Sequence, residues 1–340
     1  MKKGTVIQLA GGIVLAGAGL YIFLRDVKPR QLWHDLHAMP LYAIAACSAL
    51  TIFTLWLRAI RWNLILPPSP GASRKGLFPI TVIGFMVNNL VPARLGEAVR
   101  VLILWKRNGF SAAASAGSVL LERILDSALF LSFFFVPALL LPSLRPALPL
   151  ALPMAATSGA VVLILVLYAL FPSHLRSIAV FTLNLTPANV RPKISKIGGE
   201  LASNLHWITS PYKCLVMIVM SFLTVSCHIA MMVILVREKF FGLLAGMFAA
   251  ACAALGAAIP LSPGYVGTLH AVLKEGLVRC GVDANQAIAV ATIYHAIGYL
   301  TVTALGLFFY LRMRISLGEI RGAKKTIEQG AGEPGKKEQP

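Results

Sequence analysis

Long apolar segments are the feature that most restricts what this 340-residue chain can fold into. A helix needs about 20 consecutive apolar residues to cross the hydrocarbon core of a bilayer. Charged residues make up 13% of the chain, against roughly 25% in a soluble domain. We therefore predict an all-α polytopic membrane protein with about six transmembrane helices. The predicted spans are Val6–Leu24, Leu41–Leu57, Ser115–Leu141, Leu150–Phe171, Cys214–Val236 and Gln286–Leu311.

The first apolar segment is longer than that of a signal peptide and lacks a small-x-small cleavage pattern, which favours an uncleaved anchor over a cleaved signal.

The positions of the basic residues predict the topology. With a cytoplasmic N-terminus and alternating spans, 20 of the 31 Lys and Arg residues fall on the cytoplasmic side and eight on the other. This bias follows the positive-inside rule. It explains the net charge of +18 without nucleic acid, and it predicts a bacterial cytoplasmic (inner) membrane protein with both termini cytoplasmic.

Two polar stretches accompany the membrane segments. Residues 172–211 form a predicted cytoplasmic connection, and its second half has apolar residues at helical spacing. We expect an amphipathic helix there, lying on the membrane surface. Residues 315–340 are charged and contain glycine, which predicts a disordered cytoplasmic tail. The membrane domain is thus placed at residues 1–314. The apolar positions of the amphipathic helix are Ile194, Ile197, Leu201, Leu205 and Ile208.

Proline and glycine interrupt two further apolar stretches, at residues 92–96 and 260–267. Proline removes a backbone donor and blocks a helix, while glycine permits non-helical angles. Because unpaired backbone groups cannot face lipid, such breaks belong inside protein or beside water. We predict that each stretch is a re-entrant helical hairpin, and a kinked full span is the alternative.

The two broken stretches match each other in spacing. In each, a proline precedes a glycine by four residues, and a helix N-cap follows the proline by 19 or 20 residues. Three predicted spans lie between the hairpins, and this odd number predicts that the two copies face opposite ways. Inverted repeats with broken helices are a recurring plan of transporters. The matching positions are Pro92, Gly96 and Ser111 in the unit 77–141, and Pro263, Gly267 and Asp283 in the unit 240–312.

Charged residues at membrane depth are the main candidates for a binding site, because an unpaired charge there costs a few kcal/mol. Three of them recur every third residue on one predicted helical face, and two acids are four residues apart on the next helix. They are predicted to form a structural ion-pair network, to bind a charged lipid head group through arginine and phosphate, or to do both. The residues are Arg94, Glu97, Arg100, Glu122, Arg123 and Asp126.

Other polar residues near the first hairpin have simpler interpretations. Asn88 and Asn89 precede the break and are expected to cap its freed backbone groups. Arg58, Arg61 and Trp62 follow the second predicted span, where anchoring at the membrane interface is favoured over a role in a site.

Three histidines lie in apolar surroundings. His228 is expected to hydrogen-bond between packed helices. His270 and His295 both fall in the second repeat unit near its break, where a titrating pair is one interpretation and packing is the other.

Enzyme motifs are absent from the sequence. It contains no Walker A pattern, no Gly-x-Ser-x-Gly and no His/Cys cluster with metal-ligand spacing. We expect no cofactor and predict that the protein is not an enzyme. Glu97, Glu122 and Asp126 could act as acid and base, although their spacing does not favour that role over ion pairing.

Four segments together carry a family resemblance: Arg58-x-x-Arg61-Trp62, residues 88–100 (Asn-Asn-Leu-Val-Pro-Ala-Arg-Leu-Gly-Glu-Ala-Val-Arg), residues 121–126 (Leu-Glu-Arg-Ile-Leu-Asp) and Pro260-x-Ser262-Pro263-Gly264-x-x-Gly267. They resemble the flippase-like membrane domain of lysylphosphatidylglycerol synthases, over roughly residues 5–315. The resemblance implies an inner-membrane protein that moves or binds lipid head groups, with aminoacylated phospholipids, glycolipids and polyprenyl-linked lipids as substrate classes. It does not support synthase activity, which belongs to a separate cytosolic domain in larger members.

The chain departs from that family at two positions. His270 stands where the family often has an acidic residue, and His295 stands where it often has arginine. An acid–base pair is thus replaced by two histidines, which leaves the head-group specificity of relatives without support here.

The leading hypothesis is a lipid transporter with a polar cavity between the two hairpins. A membrane-embedded lipid-modifying enzyme and a non-transporting scaffold of lipid or envelope biosynthesis are the alternatives. The expected partners are a phospholipid, glycolipid or polyprenyl-linked lipid and the membrane, without nucleic acid; a homo-oligomer is left open. The second repeat is expected to line the site with Pro263, Gly264, Gly267, His270 and His295.

Overall fold

The computed structural model describes residues 21, 29–91, 95–184, 186–187, 190–237, 241–258 and 263–314. Within these residues the regular secondary structure is entirely helical. Short 3-10 turns occur at Pro142–Ala147, His206–Thr209 and Pro263–Tyr265. The α-helices are α1 (Pro29–His37), α2 (Leu41–Ile65), α3 (Leu77–Leu90), α4 (Leu95–Asn108), α5 (Ala112–Leu140), α6 (Leu148–Leu170), α7 (Pro172–Asn184), α8 (Arg191–Ser203), α9 (Pro211–Val236), α10 (Leu243–Ala258), α11 (Thr268–Arg279) and α12 (Ala284–Arg312).

The long helices have the length and composition of membrane spans. In the described part of the chain, α2, α9, α12 and the segment Pro142–Leu170 that contains α6 are long and apolar enough to cross a bilayer. α5 is as long as α12 but carries three charged residues in its interior. Large apolar side chains such as Leu150, Leu163 and Phe222 are exposed on these helices, as lipid-facing residues are. The prediction of an all-α multi-pass membrane protein is confirmed.

Some predicted elements lie outside the described residues. The predicted span Val6–Leu24 does so except for Tyr21, and so does the predicted tail 315–340. The other five predicted spans correspond to α2, α5, α6, α9 and α12. The bounds of α5, α6, α9 and α12 differ from the predicted bounds by a few residues, whereas α2 is longer than the predicted span.

Two pairs of short helices pack as hairpins at the positions of the proline and glycine breaks. α3 and α4 contain 14 residues each, α10 contains 16 and α11 contains 12. At 1.5 Å per residue they are about 18 to 24 Å long, shorter than the roughly 30 Å hydrocarbon core. Each hairpin has a glycine where its helices touch. A Cβ on Gly96 would collide with the carbonyl oxygen of Gly84, and a Cβ on Gly256 would lie 2.7 Å from the Cα of Leu269.

Each hairpin packs against the long helix that follows the other hairpin. α3 of the first hairpin lies along α12, the long helix that follows the second hairpin. α10 of the second hairpin lies along α5, the long helix that follows the first. The tips also meet, since a Cβ on Gly264 would lie 2.9 Å from the carbonyl oxygen of Asn89. This exchange brings Asn89 of the first hairpin and Gly264 of the second close together.

The predicted N-caps of the long helices are confirmed. The Ser111 hydroxyl accepts the N–H of Ala114 at 3.0 Å and begins α5. The Asp283 carboxylate accepts the N–H of Asn285 at 2.9 Å and begins α12. These caps satisfy amide groups that would otherwise lack a partner in the first turn.

The second half of the connection 172–211 differs from the single amphipathic helix that we predicted. α8 ends at Ser203, and the next residues form a 3-10 turn rather than continuing the helix. Ile208 in that turn is buried against Leu121 and Met217 instead of lying on the amphipathic face. The buried Asn204 side chain donates to the carbonyl oxygen of Ala114 on α5, which fixes the chain where the helical pattern alone predicted continuation.

Candidate functional site

α2 extends eight residues beyond the predicted span and carries two arginines into the protein. Arg58 and Arg61 are buried, with Arg61 only 1% exposed, and Trp62 is buried beside them. The prediction that these three residues anchor the membrane interface is therefore wrong. The apolar pattern stops at Leu57, but the helix continues because the two guanidinium groups meet carboxylates inside the protein.

Asp126 of α5 is the shared partner of the two α2 arginines. Arg58 forms an ion pair with its carboxylate, and the Arg61 Nη2 lies 2.7 Å from its Oδ1. Arg58 also lies 3.7 Å from Glu122, one helical turn away. These contacts join α2 to α5 by charge-assisted interactions that satisfy an otherwise costly buried carboxylate.

Glu122 joins α5 to the first hairpin. Arg100 of α4 lies 2.5 Å from the Glu122 carboxylate, and both side chains are almost completely buried. The Arg100 guanidinium also lies 4.0 Å from the ring centroid of Trp62, whose indole N–H donates to Ser118. A guanidinium stacked on indole retains favourable contacts on the face that carboxylates do not reach.

Glu97 and Arg123 form the accessible part of this arrangement. Their side chains are 25% and 24% exposed, and the Arg123 Nε lies 3.3 Å from the Glu97 carboxylate. Arg123 also lies 3.4 Å from Glu122. Glu97 and Arg100 thus bind across to α5 rather than to each other along their helix, and Arg94 lies outside the described residues. We call the set Arg58, Arg61, Glu97, Arg100, Glu122, Arg123 and Asp126 the ion-pair cluster.

A central cavity of about 440 Å³ lies between the two hairpins. Its volume falls in the range of small-molecule sites. One wall is apolar and consists of alanines of α10 from Ala250 to Ala258. The polar lining residues are Arg58, Asn88, Glu97, Arg123, Asp126, Ser127, His228, Tyr265 and Tyr294.

The residues predicted from the second repeat surround its break rather than line the central cavity. Gly264 and Gly267 have positive φ angles of 59° and 86°, and Pro263 begins the 3-10 turn that contains Gly264. The N–H of Gly267 donates to Nδ1 of His270 at 3.3 Å, which places the His270 proton on Nε2.

The His270 Nε2 then donates to Nδ1 of His295 at 3.2 Å, and the His295 Nε2 donates to the Gly264 carbonyl oxygen at 2.7 Å. We call this series, from Gly267 N–H to Gly264 oxygen, the histidine chain. It links Gly264 and Gly267 to His295 of α12 and satisfies backbone groups that the break frees.

Tyr265, like Arg58, Ser127 and Tyr294, lines the cavity although the site predicted from the sequence did not include it. It has a positive φ of 61°, which is uncommon for a residue with a side chain. It borders the central cavity together with Arg123. Its position within the second break was the available signal, since irregular backbone at membrane depth lines cavities.

His228 and Asn88 behave as predicted. His228 Nδ1 lies 2.8 Å from the Tyr294 hydroxyl and links α9 to α12. The Asn88 side chain accepts the N–H of Gly96 at 2.8 Å, as a cap of the first break. Among the described residues, Asn89 donates to the Tyr299 carbonyl oxygen and the Thr303 hydroxyl, so it holds the hairpin against α12.

The fold and the cavity define a multi-pass helical membrane protein with a charged interior site between two hairpins. Residues 8–306 match the family described as the lysylphosphatidylglycerol synthase TM region, and the chain belongs to this family. The family assignment that the sequence motifs predicted is confirmed, and it implies a lipid-related membrane function.

Relatives in archaea cover most of the chain. A UPF0104 membrane protein of Methanocaldococcus jannaschii is 25% identical over 241 residues, which are 70% of this chain and 99% of the relative. A UPF0104 membrane protein of Methanothermobacter thermautotrophicus is 25% identical over 325 residues, which are 89% of this chain and 94% of the relative.

Proposed function

We propose that this protein is a lipid transporter of the flippase type, which binds a charged lipid head group in the central cavity. The observation that carries the proposal is the accessible Glu97–Arg123 pair on the cavity wall, backed by the buried part of the ion-pair cluster. A head group can exchange with the carboxylate at Arg123 while the buried pairs keep the helices in place. The alanine wall opposite offers an apolar surface at the same depth.

The hairpins are proposed to enter the membrane from opposite sides as an inverted repeat. Three observations support this: helices too short to span the bilayer, three long helices between the hairpins, and the reciprocal packing of α3 on α12 and α10 on α5. Such a pair can open the cavity to one leaflet or the other by moving one hairpin against its long helix.

The protein is proposed not to act as an enzyme on its lipid. Glu122 and Asp126 each contact two or more guanidinium groups, an arrangement that keeps carboxylates ionised and occupied rather than free to exchange protons with a substrate. We further propose a bacterial cytoplasmic membrane location with both termini cytoplasmic, on the strength of the distribution of Lys and Arg.

The proposal is tested by lipid movement in vesicles reconstituted with purified protein. A head-group-labelled phospholipid on the inner leaflet should become accessible to an external quencher faster than in protein-free vesicles. Arg123→Gln should reduce this rate at least tenfold, an effect of about 1.4 kcal/mol.

The matched control is Arg279→Gln, because Arg279 pairs with Glu275 on the surface of α11, away from the cavity. It should leave the rate unchanged. Movement no faster than in protein-free vesicles for a range of labelled lipids, with the protein shown to be folded, would contradict the proposal.

A further inference from the structure

The ion-pair cluster is not electrically balanced. It contains four guanidinium groups, of Arg58, Arg61, Arg100 and Arg123, and three carboxylates, of Glu97, Glu122 and Asp126. Glu122 and Asp126 are each shared between arginines, and these seven described residues together carry one positive charge in excess. At membrane depth a net charge is costly, so an anion bound beside the cluster would stabilise it.

The arginines differ in their access to such an anion. Arg61 and Arg100 are sealed behind the carboxylates and do not line the central cavity. Arg58 lines it but is almost completely buried against Asp126 and Glu122. Arg123 lines it with about a quarter of its side chain exposed, so the excess charge is available at this residue.

Arg123 also borders a second opening. A lateral groove of about 240 Å³ lies between α5 and α6. It shares Arg123, Ser127 and Leu131 with the central cavity, three residues spaced four apart on one face of α5. Ser127 has a small, exposed side chain, so these three residues leave space at the centre of the row that they form on α5.

The outer wall of the groove belongs to a helix with few neighbours. α6 packs mainly against α5, and most of its large side chains are exposed. Thr157 and Val161 of α6 face the groove together with Ile124 of α5. The groove thus has an arginine at its inner end and apolar side chains along its outer helix, which is the order of groups that a lipid with its head group inward presents.

We propose that the substrate is a phospholipid with net negative charge, which reaches Arg123 sideways through the lateral groove with an acyl chain between α5 and α6. The phosphate supplies the negative charge that the ion-pair cluster lacks, and the planar guanidinium binds it through paired hydrogen bonds. A zwitterionic lipid brings no net charge and leaves the excess in place. This inference rests on the proposed function and specifies its substrate class and its entry route.

The test compares lipid retention and lipid movement for the same purified protein. Protein in nanodiscs made of equal parts phosphatidylglycerol and phosphatidylcholine is released into detergent, and the lipids that stay bound are counted by native mass spectrometry. Phosphatidylglycerol should be retained at least tenfold over phosphatidylcholine. Arg123→Gln should remove the preference, whereas Glu97→Gln should increase it because the cluster then carries a second excess positive charge.

The entry route through the lateral groove is tested by placing a large side chain at Ser127 of α5. Ser127→Phe should reduce both the retention and the vesicle movement of phosphatidylglycerol at least fivefold. Ile164→Phe is the matched control, since Ile164 is 60% exposed on α6 and does not line the groove. Equal behaviour of Ser127→Phe and Ile164→Phe would overturn the route.

The outcomes separate the two proposals. Vesicle movement of both lipids without a charge preference in retention would overturn the inference and leave the transporter proposal standing. Selective retention of phosphatidylglycerol without movement would overturn transport and support the anionic site. A Glu97→Gln variant that loses the preference would contradict the charge argument itself.

Discussion

The two halves of this protein solve the same structural problem with different polar chemistry. The first half surrounds its broken hairpin with the ion-pair cluster, and the second half surrounds its own with neutral groups, the histidine chain and the His228–Tyr294 pair. Glu122 and Tyr294 lie eleven residues after their N-caps, so a carboxylate in one unit corresponds to a phenol in the other. The charge recognition that we propose therefore belongs to the first unit, while the second supplies the alanine wall of the cavity.

The difference has an energetic side. Buried ion pairs are demanding, because loss of one partner leaves a charge without compensation at membrane depth. Neutral hydrogen bonds cost far less to lose. The first unit should accordingly be the more sensitive to mutation, which the following predictions examine in order of decreasing effect.

Removal of Glu122 should have the largest effect on stability. Glu122→Ala leaves Arg100 buried without its carboxylate and should lower the free energy of unfolding by about 3 to 5 kcal/mol. The measurement is unfolding in mixed detergent micelles. The control Glu275→Ala breaks an exposed pair with Arg279 and should cost at most about 1 kcal/mol. Similar losses for the two variants would contradict the structural role of the buried pair.

Replacement of the contact glycine by alanine should lower the unfolding free energy to a similar extent in the two hairpins. Gly96→Ala and Gly256→Ala each introduce a Cβ into the backbone of the facing helix and should destabilise by about 1 to 3 kcal/mol. Gly159→Ala serves as control because its added Cβ meets no atom within 4 Å, and helix propensity favours alanine there. Unfolding as above measures all three. Tolerance of alanine at Gly96 would contradict the close contact with Gly84.

The sequence predicted the helical hairpins and most of the ion-pair cluster because both follow from local rules. Proline and glycine at residues 92–96 and 260–267 interrupt apolar runs, and rare charges inside such runs must find partners. The roles of Arg58 and Arg61 were missed because they depend on which helix packs against α5, a long-range contact that no periodicity encodes. Tyr265 was missed for the same reason, since its direction is set by the positive φ of the turn.

Loss of the histidine chain should be the mildest of these changes. His295→Phe removes the hydrogen bonds to Gly264 and to His270 and should cost about 1 to 2 kcal/mol in unfolding free energy. Because the chain lies beside the cavity rather than on its wall, the retention of phosphatidylglycerol over phosphatidylcholine should be unchanged. A variant that keeps its stability but loses lipid selectivity would indicate that the second unit also takes part in charge recognition. That result would contradict the difference proposed between the two units.

The central claim is that a lipid head group occupies the cavity at Arg123. The most direct measurement is a cryo-electron microscopy structure of the wild-type protein, bound to an antibody fragment for size, in nanodiscs of phosphatidylglycerol. We expect head-group density in contact with the Arg123 guanidinium, with acyl-chain density continuing between α5 and α6. A well-ordered cavity in which Glu97 and Arg123 remain paired and ordered lipid lies only on the outer surface would contradict it.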